Sequence, residues 1–158
     1  MVMVWRRIDE SELDALEQDP DLAVTILEDS DAEQLFDVGT AWHGVHALLN
    51  GSAWGGSGPA FDVVLGGQSL GDPSTYEPAR ALVPPAVEAV ATLLTETPVE
   101  QLRSGFTHAR FRRWEVYPDT AWDQADVLTQ VLEPAYEALR GFFTSAAAAG
   151  DGVLIRLT

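Results

Sequence analysis

Cysteine is absent from this chain of 158 residues. Disulfides, thiolate nucleophiles and cysteine-ligated zinc are therefore excluded. Lysine is absent too, because all 9 basic residues are arginine. Without lysine there is no P-loop cation, no Schiff-base amine and no lysine general base. The arginine-only set, together with many alanines, fits codon usage in a high-GC bacterial genome. Positive charge is scarce overall: 25 acids stand against those 9 bases, for a formal charge of −16. Such a surface repels nucleic-acid phosphates and anionic membranes, so neither is expected as a partner. No apolar run is long enough for a signal peptide in MVMVWRRIDESELDAL or for a membrane span later in the chain, and the cytoplasm is the expected location.

What is present suits one globular domain spanning 1–158. Hydrophobic residues make up 46% of the chain, and a domain of this size buries roughly 70% of its unfolded surface without a metal or disulfide. The acids are unevenly placed. Twelve of the 25 fall between Asp9 and Asp37, opposed there only by Arg6 and Arg7. Arg103, Arg110, Arg112 and Arg113 form the basic cluster. Either those arginines pair with the acidic segment inside the molecule, or the segment docks a basic protein partner.

Patterning predicts an α+β fold. Val2 to Ile8 reads as a strand. Asp9 and Glu12 have capping-box spacing ahead of a short helix, and Pro20 separates it from a second. TAWHGVHALLNG is a helix with Thr40 as its expected N-cap and Gly51 as its stop. GSAWGGSGPA is a loop. FDVVLGG, near 61–66, reads as a strand, and Gln68 to Arg80 as a surface loop. Pro84 and Pro85 open a helix, Thr97 and Pro98 another that ends at Gly105. Residues 121–149 are helical, with a kink or break expected at Pro134. GDGVLIRLT, near 152–157, closes the chain as a strand. The expected architecture is a small, mainly antiparallel sheet covered by helices.

Plotting the helix from Thr40 at 100° per residue groups Ala41, Trp42, Val45, Leu48 and Leu49 on an apolar arc. His46 lies at its edge, followed by Asn50 and His43. A cleft histidine belongs at such a boundary, and so does a histidine donating to a neighbouring carbonyl. Zinc needs three or four protein ligands. His43 and His46 supply two, His108 lies in a segment without a clear pattern, and nothing in the spacing of Asp37 or Asp72 requires a third. No metal or other cofactor is expected. GGQSLGDPSTYEPAR resembles a strand-to-loop ligand platform in which backbone N–H groups and Arg80 would hold an anion. No GxGxxG, Walker or GxSxG motif accompanies it. Tyr117 and Trp122 are candidates for the wall of a small pocket.

The segments MVMVWRRIDESELDALEQDP, AWHGVHALLNG, LGGQSLGDPSTYEPARAL, VYP, AYEALRGFF and AAAAGDGVLIRL together resemble the YfbM-like family of uncharacterised bacterial proteins, across nearly the whole chain. The AWHGVH helix followed by the GG, LG and Y..AR elements is the specific part. The resemblance implies a compact α+β fold, bacterial origin and a cytoplasmic location, and no assigned activity. The matching positions are Asp37, Trp42, His43, His46, Tyr76, Arg80, Tyr117 and Trp122. A lysine often precedes Ala-Trp-His in the family, where this chain has Thr40, so any mechanism needing that charge is unavailable here.

Three functions follow from these residues. The first is a small polar or anionic ligand bound in a cleft of Trp42, Tyr76, Arg80, Tyr117 and Trp122 beside the two histidines. The second is a phosphoester hydrolase in which His43 or His46 is the acid/base, Asp37 orients it and Arg80 stabilises developing charge. The third is an acidic module for a basic protein partner. Oligomeric state is not legible from the sequence.

Overall fold

The computed structural model describes every residue except Pro73, Thr75 and Tyr76. Its sheet begins with the apolar N-terminal strand β1 (Met3–Ile8), in which Met3, Trp5 and Ile8 are buried. Strand β5 (Gly152–Leu157) lies antiparallel beside it along its full length, from Met3 opposite Leu157 to Ile8 opposite Gly152. Three short strands complete the sheet: β2 (Leu35–Asp37), β3 (Gln68–Ser69) and β4 (Arg80–Leu82). The order is β2-β1-β5-β4-β3, with every pairing antiparallel.

The sheet separates two layers. On one face lie α1 (Glu10–Gln18) and α2 (Leu22–Glu28), whose Leu16, Ala23 and Leu27 pack with Ile8 and Leu154. The capping box expected at Asp9 is formed: its carboxylate accepts from the Glu12 N–H at 2.8 Å, and Glu12 accepts from the Asp9 N–H at 3.2 Å. The other face carries the main core. It is built from α3 (Trp42–Asn50), α4 (Gly58–Asp62), α5 (Pro84–Glu96), α6 (Val99–Gly105), α7 (His108–Trp114) and α8 (Glu133–Ala149). Trp5, Trp42, Phe111, Tyr136 and Phe143 are fully buried there. Side chains of this size each withdraw roughly 150–250 Å² from water.

The strand expected near 61–66 is instead α4 and the turn that follows it. Pro59 sits in the first helical turn, where its missing N–H costs nothing. The amides of Val63, Leu65 and Gly66 return to the carbonyls of Pro59 and Phe61, leaving none for a sheet. Val63 and Val64 are adjacent and both fully buried. β2, β3 and β4 escape sequence reading because two or three residues carry no periodicity. Thr40 does not cap α3, since a 3-10 turn over Gly39–Ala41 precedes the helix and Ala41 occupies the cap position. Gly51 does end it, at φ +66°. The break expected at Pro134 is a π-helical turn over Leu128–Leu132 that places the proline in the first turn of α8. His108 opens α7, a helix that sequence patterning leaves out. Among the described residues no helix is long and apolar enough to cross a membrane.

The acidic segment is not balanced by the basic cluster. Arg103 pairs with Glu133 and Arg112 with Asp123 at 2.9 Å. Arg6 and Arg156, which share the sheet face under α1 and α2, meet Glu12 at 2.6 Å and Glu28 at 3.8 Å.

Candidate functional site

Helix α3 is buried from Trp42 to Ala47. Burial that deep needs a close approach, and Gly44 supplies it. A Cβ there would lie 2.6 Å from Leu132 Cδ2 and 2.7 Å from Trp122 Cη2. The glycine-rich segment after Gly51 then folds back over the helix and covers both histidines, which are fully buried.

Each imidazole has both nitrogens engaged. The backbone N–H of Tyr117 donates to His43 Nδ1 at 2.8 Å. An amide can only donate, so Nδ1 is the acceptor and Nε2 carries the hydrogen, which it donates to the Ala53 carbonyl at 2.6 Å. His46 repeats the pattern: Nε2 donates to the Gly55 carbonyl at 3.1 Å, and Nδ1 accepts from the Asn50 amide at 3.3 Å. That Asn50 nitrogen also donates to the carbonyls of His46 and Ala60, each at 3.0 Å, so its two hydrogens are shared among three acceptors. Both rings are thus held neutral. Burial lowers the His43 pKa from its ordinary value. Burial, with the His43 and Arg80 charges adding to it, lowers that of His46 to about 4, against the opposing bond to Gly55.

Arg80 works on the same loop from the sheet. Its Nη1 donates to the carbonyls of Val64 at 3.1 Å and Gly66 at 2.8 Å, and Nη2 lies 3.6 Å from the Met3 sulfur. Burial lowers its pKa. Trp42 stacks on His43 with ring centres 4.8 Å apart, and Trp54, 56% exposed, covers the imidazole from outside at 4.1 Å. Tyr117 lies 6.0 Å from Trp42. Trp122 is buried and donates to the Val116 carbonyl at 3.0 Å.

The structure therefore brings Trp42, His43, His46 and Tyr117 together, with Arg80 near enough to His46 to act on its charge, and sets Trp122 behind them. They meet as a packed polar spine that fastens residues 53–66 to α3 and the sheet. Asp37 stands apart: it is exposed and accepts from the Gly39 N–H at 2.8 Å, closing its own turn. Tyr76 lies outside the described residues. His108 donates to or accepts at neither of the other histidines; its Nδ1 lies 2.6 Å from the Trp122 carbonyl. Among the described residues no group of three or more His, Asp or Glu is arranged to hold a metal.

A second region, not singled out by sequence motifs, has the opposite character. An open cleft of about 770 Å³ lies between the ends of β1 and β2 and helix α8. Arg6, Arg7, Glu33, Phe36, Gly141 and Phe142 are among its lining residues. It forms because β2 is three residues long and pairs only with Val4 to Arg6, while β1 runs on to Ile8. Arg6 also borders a smaller cleft of about 270 Å³ toward α2. Its side chain is 11% exposed. Its Nη1 donates to Glu12 at 2.6 Å and to the Arg7 carbonyl at 3.1 Å. Nε is buried without a partner, and Nη2 makes no protein hydrogen bond among the described residues. The available sequence signal was an arginine at an alternating position of a strand, opposite in direction to the buried Trp5.

A family model described as a domain of unknown function, DUF1877, matches residues 1–156. The chain belongs to this family. No functionally curated protein matches it. Among solved structures it is similar to the crystal structure of YfbM, a protein of unknown function from Escherichia coli. The two are 20% identical, with 100% of each chain covered and a TM-score of 0.79. At that identity the likeness establishes the fold. In this DUF1877 chain the AWHGVH segment lies in the polar spine, and the Arg6 cleft lies on the opposite side of β1 from β5.

Proposed function

We propose that this DUF1877 domain is a non-catalytic binding domain for a small polar ligand, with its site in the cleft around Arg6. One observation carries the reading: the Arg6 side chain, 11% exposed, borders the cleft, and among the described residues its accessible Nη2 has no protein partner, while its Nε, like that of Arg156, is buried without one. A buried polar group left over by the fold calls for a partner, and arginine is suited to planar acceptors such as carboxylates and amides. The cleft volume falls within the range of about 300–1,000 Å³ usual for small-molecule sites.

The polar spine supports an architectural role for His43, His46 and Arg80. A general base needs a free lone pair within reach of a substrate proton, and every ring nitrogen of the two histidines is already committed to the chain. This reading keeps ligand binding from among the functions suggested by the sequence and proposes Arg6, in place of the Trp/His/Arg80 block, as its site.

Calorimetric titration of amino acids, dicarboxylates, sugar phosphates and nucleotides tests this. At least one class should bind the native chain and lose tenfold or more in affinity in Arg6→Met. Arg112→Ala, whose partner Asp123 lies elsewhere on the surface, should bind as the native chain does. Equal affinities in all three proteins would refute the assignment.

A further inference from the structure

We infer that the ligand of the Arg6 cleft is dipolar, a short peptide or amino acid with a free ammonium and a free carboxylate, and that Gly141 sets how bulky it can be. This rests on the cleft reading above and adds the ligand class.

The charges left over on the walls carry the inference. Arg7 has its charge paired with Asp151, which Nε and Nη2 meet at 2.7 Å. The Arg6–Glu12 pair occupies only one nitrogen of Arg6. Gln34 turns its oxygen to the Asp31 N–H at 3.1 Å, which leaves its amide nitrogen as a further donor. On the acidic side, the Glu33 carboxylate makes no ion pair or hydrogen bond among the described residues. The cleft thus retains an unspent guanidinium N–H and an unspent carboxylate. A simple dianion would meet an excess of two acids, Asp9 and Glu33, since the lining's two arginines are matched by Glu12 and Asp151. A simple amine would leave Arg6 as it is. A carboxylate placed at Arg6 with an ammonium toward Glu33 satisfies both ends.

Across the sheet edge from the Arg6 side chain, on the α8 side of the same cleft, the body of such a ligand has an apolar wall to lie on. Phe36 and Phe142 stack with ring centres 4.7 Å apart and planes 16° from parallel. Beside them on α8 stands Gly141, where a Cβ would meet no heavy atom within 4 Å. A glycine inside a helix weakens it relative to alanine. No close packing requires one here, unlike at Gly44. What it does is keep the cleft wide, and a side chain added there would enter the cleft and leave the core untouched.

Titration of the full chain with phenylalanyl-leucine and alanyl-phenylalanine, each free, N-acetylated and C-amidated, tests both claims. The free dipeptides should bind. Acetylation or Glu33→Gln should each weaken binding about tenfold, and amidation or Arg6→Met likewise. Gly141→Leu should abolish binding while melting temperature and circular dichroism hold. Acetylated peptides binding as tightly as free ones would overturn the dipolar assignment. So would failure of every peptide to bind while a dicarboxylate still binds in an Arg6-dependent manner, an outcome that leaves the cleft itself standing. Binding that ignores both Arg6→Met and Gly141→Leu would remove the cleft as well.

Discussion

Arg80 and Arg6 differ in how completely the fold uses them. Arg80, beside the histidines, spends its guanidinium on two loop carbonyls and a methionine sulfur. Arg6, two strands away in the same sheet, leaves two nitrogens without a protein partner among the described residues. Both are largely withdrawn from solvent. A motif rich in chemistry-bearing residues marks a site only if donors and acceptors remain after the chain has satisfied itself. By that test the described part of the histidine region supports the architectural reading, and Arg6 supports the binding one.

The largest effect that sharpens this contrast is expected at His43. Replacing it with alanine orphans the Tyr117 N–H and the Ala53 carbonyl and empties the space beneath Trp54. Two unsatisfied buried groups at roughly 1–3 kcal/mol each, plus the cavity, predict a loss of about 3–5 kcal/mol. Urea unfolding of His43→Ala measures it directly. A loss below about 1 kcal/mol would mean that the ring does not tie the loop down and is available for other work.

The next effect is on pH dependence. His46 titrates at about 4 in the fold and near its ordinary 6.5 in the unfolded chain. Between those values the unfolded chain takes up a proton that the folded one refuses, so unfolding is favoured as pH falls. Stability from this group is complete above about 6.5 and declines toward 4, by up to ~3 kcal/mol in total. His43 acts in the same direction. Acidification also relieves repulsion among the 25 acids, which opposes the trend, so the informative quantity is a difference. Subtracting the urea stability of His46→Gln from that of the native chain at pH 7.5, 6 and 5 should leave a term that shrinks with pH. A pH-independent difference would show that the ring is not held neutral.

The sequence made some of this legible. The capping box at Asp9, the stop at Gly51, the two terminal strands and the interruption near Pro134 all follow from local chemistry that acts within a few residues. The segment 61–66 misled because valines carry strand propensity, whereas Pro59 opens a helical turn whose carbonyls, with that of Phe61, take up the following amides. The histidines were placed on the correct helix and flank, at a boundary that equally suits a cleft or a carbonyl contact. What decided between these was the loop of residues 51–57, whose path over α3 no periodicity encodes. The cleft at Arg6 was not legible for a related reason: it opens where β2 stops short, and a strand of three residues is too brief to be read from sequence.

The smallest effect is the one on which the comparison turns. Arg6→Met keeps an apolar stem, removes a buried N–H that has no partner, and gives up one ion pair to Glu12, itself 28% exposed. Partly exposed pairs contribute roughly 0–1 kcal/mol, and loss of the unpaired donor offsets some of that. Stability should therefore change by no more than about 1 kcal/mol, even where ligand binding falls tenfold. A cost near 3 kcal/mol would place Arg6 with Arg80, as a guanidinium whose purpose is to hold the chain together. The Arg7 carbonyl that it also meets would then be the partner that matters, capping the edge of β1 where β2 stops short.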